Sequence, residues 1–228
     1  MTTASGQTRD TSVPEIVGLI VILVLSLAFH EVAHAWVAWK RGDSTAKDMG
    51  RLSLDPMVHI DLWWTLIVPL MMYMSFGFMF GGAKPVPVVF QNLKKPHRDM
   101  ALVAVAGPAM NILIAIFLAL ALKLITEEFG LWSRKDVGYA ILVNGVRLNL
   151  FLAVFNMLPL PPLDGSRIMT WLLPESMRVS YQRLEAFGFL LILGLLYMTG
   201  GVVLNLLIDS VAVLAEWVEA IVTLGGIW

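Results

Sequence analysis

Residues 13–39 read VPEIVGLIVILVLSLAFHEVAHAWVAW, an apolar run with His30, Glu31 and His34 set inside it. A spanning helix needs about 20 apolar residues, so the run predicts a membrane helix with three ionisable groups clustered in its second half. Residues four apart share one helix face, and both imidazoles can therefore address one metal ion. Glu31 lies about 100° round from His30, near enough to act on a water at that ion. Ionisable groups in hydrocarbon cost on the order of several kcal/mol and usually mark function. The HEVAH pentapeptide thus points to a zinc hydrolase with its active site inside the membrane. The plainer alternative is a pair of core histidines beside a stray glutamate. Nothing else in the run would satisfy three polar groups, which counts against it.

The rest of the chain agrees with a membrane setting. Its 228 residues are 58% hydrophobic and 14% charged, with mean hydropathy +0.77, which marks a polytopic membrane protein rather than a soluble domain. A net charge of −1 and the lack of a basic cluster give no sign of a nucleic-acid partner. Cysteine is absent, so a zinc site must be built from His, Asp or Glu. The polar arm Met1–Ser12 has neither a basic n-region nor a small-residue cleavage site, and does not read as a removed signal peptide.

Apolar segments fall at about 13–39, 60–80, 101–125, 139–158 and 186–208, with a mixed stretch at 210–224. Pro69 interrupts the second, and Gly77, Gly81 and Gly82 close it, a pattern suited to a bent or re-entrant element. Residues 83–90, AKPVPVVF, alternate proline with β-branched side chains and predict an extended, strand-like backbone. The third segment carries Ala106-Gly107-Pro108-Ala109-Met110-Asn111, whose small residues let helices approach closely.

Zinc takes at least three protein ligands. No histidine follows His34 at the spacing of the metzincins, and Glu127, Glu128, Glu175 and Glu185 all lie in polar loops or at segment ends. Asp164 is the better third ligand. It stands in Asn156-Met157-Leu158-Pro159-Leu160-Pro161-Pro162-Leu163-Asp164-Gly165, where three prolines break the helix and Gly165 allows a sharp turn inward. Taken alone, the same residues also fit an Asp-Gly turn at a membrane edge.

HEVAH in one helix, Gly-Pro-Ala-Met-Asn in a second and the Asn-x-x-Pro-x-Pro-x-Leu-Asp-Gly pattern after a third resemble the site-2 protease family of intramembrane zinc metalloproteases. The resemblance covers about residues 25–170. Gly50-Arg51-Leu52-Ser53-Leu54-Asp55-Pro56 and Ala83-Lys84-Pro85-Val86-Pro87 are similar to a compact bacterial and archaeal branch without PDZ or CBS domains. The resemblance implies that His30, His34 and Asp164 hold one zinc ion per chain and that Glu31 is the general base. It also implies substrate contacts at Asn111 and Asn156, either of which could instead be an interhelical hydrogen-bond donor. Pro85, Val86 and Pro87 would hold substrate as an added strand.

The site constrains topology. His34 lies six residues, roughly 9 Å, before Lys40. Asp164 must reach the same depth, so segments 139–158 and 101–125 meet the Lys40 face, and 60–80 starts and finishes on one side as a hairpin. Eleven Lys and Arg residues fall on that face and four on the other, which places the site toward the cytoplasm and the N-terminus outside. His59 and His97 read as surface or interfacial histidines, and Arg147 as a cation paired within its span. Trp36, Trp39, Trp63 and Trp64 read as interfacial anchors. Asp209, Glu216 and Glu219 suggest that 210–224 lies along the membrane surface, a sixth span being the alternative.

The expectation is one all-α membrane domain over 1–228, with its core at about 13–170 and C-terminal membrane segments within 186–224. It has five or six membrane segments, a re-entrant hairpin and a short strand near the site. Its function would be intramembrane zinc endopeptidase in regulated proteolysis, with transmembrane protein substrates and the bilayer as partners. A divalent-metal carrier using the same cluster is the rival, but carriers usually show internal repeats and ionisable groups along a through-path. A silent scaffold would have no need of Glu31.

Overall fold

The computed structural model describes residues 12–61, 63, 67, 71, 82 and 84–223. Among them the regular structure is helical. Helix α1 (Val13–Arg41) starts on Pro14 and Glu15 and ends on Lys40 and Arg41, charges that suit the two poles of the helix. Gly42 closes it at φ 117°, a left-handed conformation open to glycine. A short helix α2 (Thr45–Asp48) and a 3-10 turn (Pro56–His59) follow, then α3 (Pro96–Lys123), which runs on through a π-helical turn to Glu128. Helix α4 (Val137–Asn156) leads through a proline-rich turn to α5 (Asp164–Leu172). Then come α6 (Glu175–Gln182), α7 (Gly188–Met198) and α8 (Val202–Thr223). Among the described residues, three helices are long and apolar enough to cross a membrane: Val13–Arg41, Pro96–Glu128 and Val137–Asn156. The chain is an integral membrane protein built around these three.

Burial along α1 is graded. Ile16, Val17, Ile20, Val21 and Leu25 are exposed on its first half, whereas Ala28, His30, Glu31, Ala33, His34, Ala35 and Ala38 are buried on its second. Apolar side chains left outside meet acyl chains, so burial against protein gains little hydrophobic energy there and close van der Waals packing must hold the helices together. Helix α3 supplies that packing through Ala101, Ala104, Gly107, Ala115 and Ala119, all buried, and lies between α1 and α4. A Cβ on Gly145 of α4 would come within 2.7 Å of Ile22 Cδ1, the movable tip of a side chain, so α1 and α4 also meet closely at a glycine.

The C-terminal stretch departs from expectation. Residues 210–223 belong to α8, whose Val218 and Val222 join Leu122, Val146 and Leu150 in the core, rather than forming a separate surface strip. The polar face suggested by Asp209, Glu216 and Glu219 coexists with an apolar face that packs on α3 and α4. Most of segment 60–80, with Ala83 and Trp64, lies outside the described residues. Segment 84–89 has no regular structure and pairs with no strand among the described residues, so the expected strand element is not formed. Pro85 and Pro87 remove two of the donors that a ladder would need.

Side chains hold that segment instead. Asp43, fully buried just past α1, accepts hydrogen bonds from Val89 N (2.6 Å), Asn92 Nδ2 (2.9 Å) and Thr45 N (3.1 Å), and from the Thr45 hydroxyl. Lys94 N donates to Arg41 O at 3.1 Å. Burial alone would raise the Asp43 carboxyl, but the bonds from Thr45, Asn92 and Val89 outweigh it and hold the group below the usual carboxylate range. A carboxyl lowered in the folded state adds stability above its unfolded value of about 3.9, and loses it as pH falls through the lower folded value. Asp43→Ala is therefore expected to speed amide exchange of residues 86–93 at neutral pH, read by mass spectrometry. At matched acid pH near 3 the difference between wild type and variant should shrink; a difference unchanged with pH would refute the tie.

Candidate active site

Two turns of α1 bring His30, Glu31 and His34 to the buried side of the helix. The His30 and His34 rings meet edge to face, 86° apart in plane, with their Nε2 atoms 3.0 Å from each other. Asp164, the first residue of α5, closes the group: Oδ2 lies 3.3 Å from His30 Nε2 and Oδ1 3.3 Å from His34 Nε2. Its delivery depends on Gly165, where a Cβ would collide with the Met157 and Leu158 carbonyl oxygens. The turn after α4 thus folds back on itself only because residue 165 has no side chain.

Hydrogen bonds on the far side of each imidazole set its tautomer. His30 Nδ1 donates to Asn111 Oδ1 at 2.6 Å, and His34 Nδ1 donates to the Val103 carbonyl at 2.7 Å. Both protons are therefore on Nδ1, and both Nε2 atoms turn lone pairs toward each other and toward the carboxylate. Three electron-rich atoms at such spacing repel unless a cation lies among them. A tetrahedral ion with ligands at about 2.0 Å places them about 3.3 Å apart; here the two nitrogens are 3.0 Å apart and each lies 3.3 Å from one oxygen of the carboxylate. Asp164 Oδ2 is also buried without a hydrogen-bond partner. His30, His34 and Asp164 fit a zinc ion in chemistry and in geometry.

Gly107 of α3 forms the floor of this site. A Cβ there would come within 2.5 Å of His30 Cε1 and Nε2 and would strike His34 Nε2. Pro108 beside it has no N–H, so α3 offers bare backbone at the histidines. Sequence reasoning took this Gly-Pro only as a packing element. Its clearer signal is a helix-weakening pair placed in the middle of an apolar span.

Glu31 is buried, and its Oε2 accepts from Val86 N at 2.8 Å. The segment that supplies this N–H is also held by Arg51, which donates to the Lys84 and Pro85 carbonyls at 3.3 and 3.4 Å, and by His59 O, which accepts from Lys84 N at 2.8 Å. The Gly50–Pro56 stretch thus braces the segment over Glu31. His59 is buried rather than superficial and binds the Ser53 carbonyl through Nε2 at 2.8 Å. His97 packs edge-on to Phe90, away from the triad. Asn111, expected to touch substrate, is fully buried with both amide atoms engaged, by His30 and by Asn149. Asn156 donates to the Leu152 carbonyl of its own helix. Asn144 of α4 donates to Glu15, and Lys40 lies over the Trp39 ring at 4.5 Å, as an interfacial pair would.

A family model, that of Peptidase family M50, matches residues 18–142 and 135–199. The chain belongs to Peptidase family M50. Relatives within reach of the family include a Bacillus subtilis protein named "Putative zinc metalloprotease YwhC", 38% identical over 77% of this chain and 78% of its own. Rip2 of Mycolicibacterium smegmatis, described in the same terms, is 31% identical over 79% of this chain and 68% of its own. A third, MJ0611 of Methanocaldococcus jannaschii, is 30% identical over 67% and 72%. No solved structure matches the chain with significance. M50 membership, the site-2 protease family of the sequence reading, makes this protein a membrane zinc metalloprotease.

The M50 site gives a steric test. Gly107→Ala should reduce zinc affinity at least about tenfold, as loss of imidazole placement does in other zinc sites. The measurement is chelator competition on purified protein, and zinc affinity equal to wild type would show that α3 does not bound the metal site.

Proposed function

We propose that this protein is an intramembrane endopeptidase that cuts transmembrane or membrane-proximal segments of protein substrates, in regulated intramembrane proteolysis. The observation that supports it is the placement of a general base, two imidazoles and a carboxylate on helices whose outer faces are apolar. His30, His34 and Asp164 hold one zinc ion per chain, which when bound polarises a carbonyl and acidifies water. Glu31, fixed by the Val86 N–H, takes the proton of the attacking water through its other oxygen and returns it to the leaving amine nitrogen. Asn156 and the Pro85–Pro87 backbone contact the substrate, which unwinds locally because helical hydrogen bonds shield its peptide links.

The single domain spans 1–228 with five or six membrane segments, segment 60–80 being a re-entrant hairpin. The active site faces the cytoplasm and the N-terminus lies outside, a reading supported by the excess of Lys and Arg on the Lys40 face.

Two experiments test this. Glu31→Gln should bind zinc as wild type does yet lose cleavage of a model transmembrane substrate by about 10²–10⁴-fold. Zinc bound with no cleavage by wild type of any such substrate would move the assignment to a metal carrier. The chain has no cysteine, so single cysteines report sidedness cleanly. A membrane-impermeant maleimide should label Lys135→Cys in intact cells, and Gln91→Cys only after permeabilisation; the opposite pattern inverts the topology.

A further inference from the structure

A chain of hydrogen bonds leaves the metal site on the side away from Glu31. His30 Nδ1 donates to Asn111 Oδ1 (2.6 Å), Asn111 Nδ2 donates to Asn149 Oδ1 (3.0 Å), and Asn149 Nδ2 donates to the Gly145 carbonyl (3.0 Å). Asn111 and Asn149 are completely buried, on α3 and α4 respectively. No water competes for these groups, so their amides are bonded to one another or not at all.

The chain has a fixed direction. A backbone carbonyl can only accept, so Gly145 O requires the NH2 of Asn149. The amide oxygen of Asn149 then faces Asn111, which must answer with its own NH2. That leaves Asn111 only its oxygen for His30, and the oxygen requires a proton on Nδ1. Nε2 is thereby left unprotonated on the side where His34 and Asp164 converge. An isolated Asn111 lacks this constraint. With its amide turned over, it would offer NH2 to Nδ1 and favour the proton on Nε2, where it blocks a metal.

We infer that Asn149 is a positioning residue for the zinc ligand His30, acting through the amide orientation of Asn111, with the Gly145 carbonyl as its fixed end. The inference rests on the metal-site assignment. It gives α4 a part in the site besides carrying the turn to Asp164: its helical backbone sets which nitrogen of a histidine two helices away can bind zinc.

The test compares zinc affinity, by chelator competition, with thermal unfolding of the metal-free protein as the control for folding. Asn149→Leu removes the acceptor for Asn111 and should weaken zinc binding about 10–100-fold, the range seen for outer partners of ligating histidines. Asn149→Asp keeps it: a neutral acid accepts through its carbonyl oxygen and donates to Gly145 O through its hydroxyl. Its zinc affinity should stay within about threefold of wild type, a change of less than 1 kcal/mol.

A purely structural role is separated by changing the background. The carboxylate introduced by Asn111→Asp presents oxygen to His30 whichever way it turns. In that background Asn149→Leu should cost no zinc affinity. Equal loss in both backgrounds, or wild-type affinity for a folded Asn149→Leu protein, overturns the inference. So does weak zinc binding by Asn149→Asp, which remains informative if the leucine variant does not fold. Failure of the wild type itself to bind zinc would instead remove the metal site.

Discussion

Two imidazole nitrogens 3.0 Å apart, both turning lone pairs toward one carboxylate, form an arrangement that no isolated helix would keep. Each neighbour of the site can be understood as answering that repulsion. The Val103 carbonyl and Asn111 fix the protons on the outer nitrogens, so the inner ones cannot relieve the conflict by hydrogen-bonding to each other. Gly107 withholds a side chain from the space where the three groups meet. Gly165 and the proline turn bring the carboxylate back from a different helix. The small-residue face of α3 follows from the same need, since it lets the helix backbone approach the histidines closely.

Much of this was legible in the sequence, for identifiable reasons. HEVAH has a fixed helical spacing, so its geometry can be read without a fold. Asp164 was legible because prolines and a glycine around a carboxylate have few other uses at the end of an apolar span. The three long spans follow from length and hydropathy alone. What sequence could not supply was the partner of each polar group. Asn111 could be read as a substrate contact or as an interhelical donor, and the fold makes it the latter, bonded to His30, 81 residues away, and to Asn149. His59 looked superficial, and the turn at 53–59 buries it. Such assignments depend on which helix faces meet, and an apolar helix with small residues on several sides does not announce its facing.

The segment read as a strand misled for a different reason. Alternating proline and β-branched residues favour extended backbone, but a strand also needs a partner strand, and here the partners are side chains and the His59 carbonyl. Arg51, Glu31 and Asp43 occupy places that another strand's peptide groups would otherwise fill. The segment is consequently set relative to Glu31 by contacts with Arg51, Asp43, the His59 carbonyl and Glu31 itself rather than by a sheet.

That construction leaves the segment with an unusual hydrogen-bonding polarity. Pro85 and Pro87 have no N–H, and the N–H of Val86 between them is already bound to Glu31. From 85 to 87 the backbone can only accept. A peptide laid alongside must bring the donors itself, so an imino acid in the matching place would find nothing to bond. Two copies of the segment, each with acceptors alone, have no means of zipping together, and the edge is protected against self-assembly without a single charged residue in those three positions.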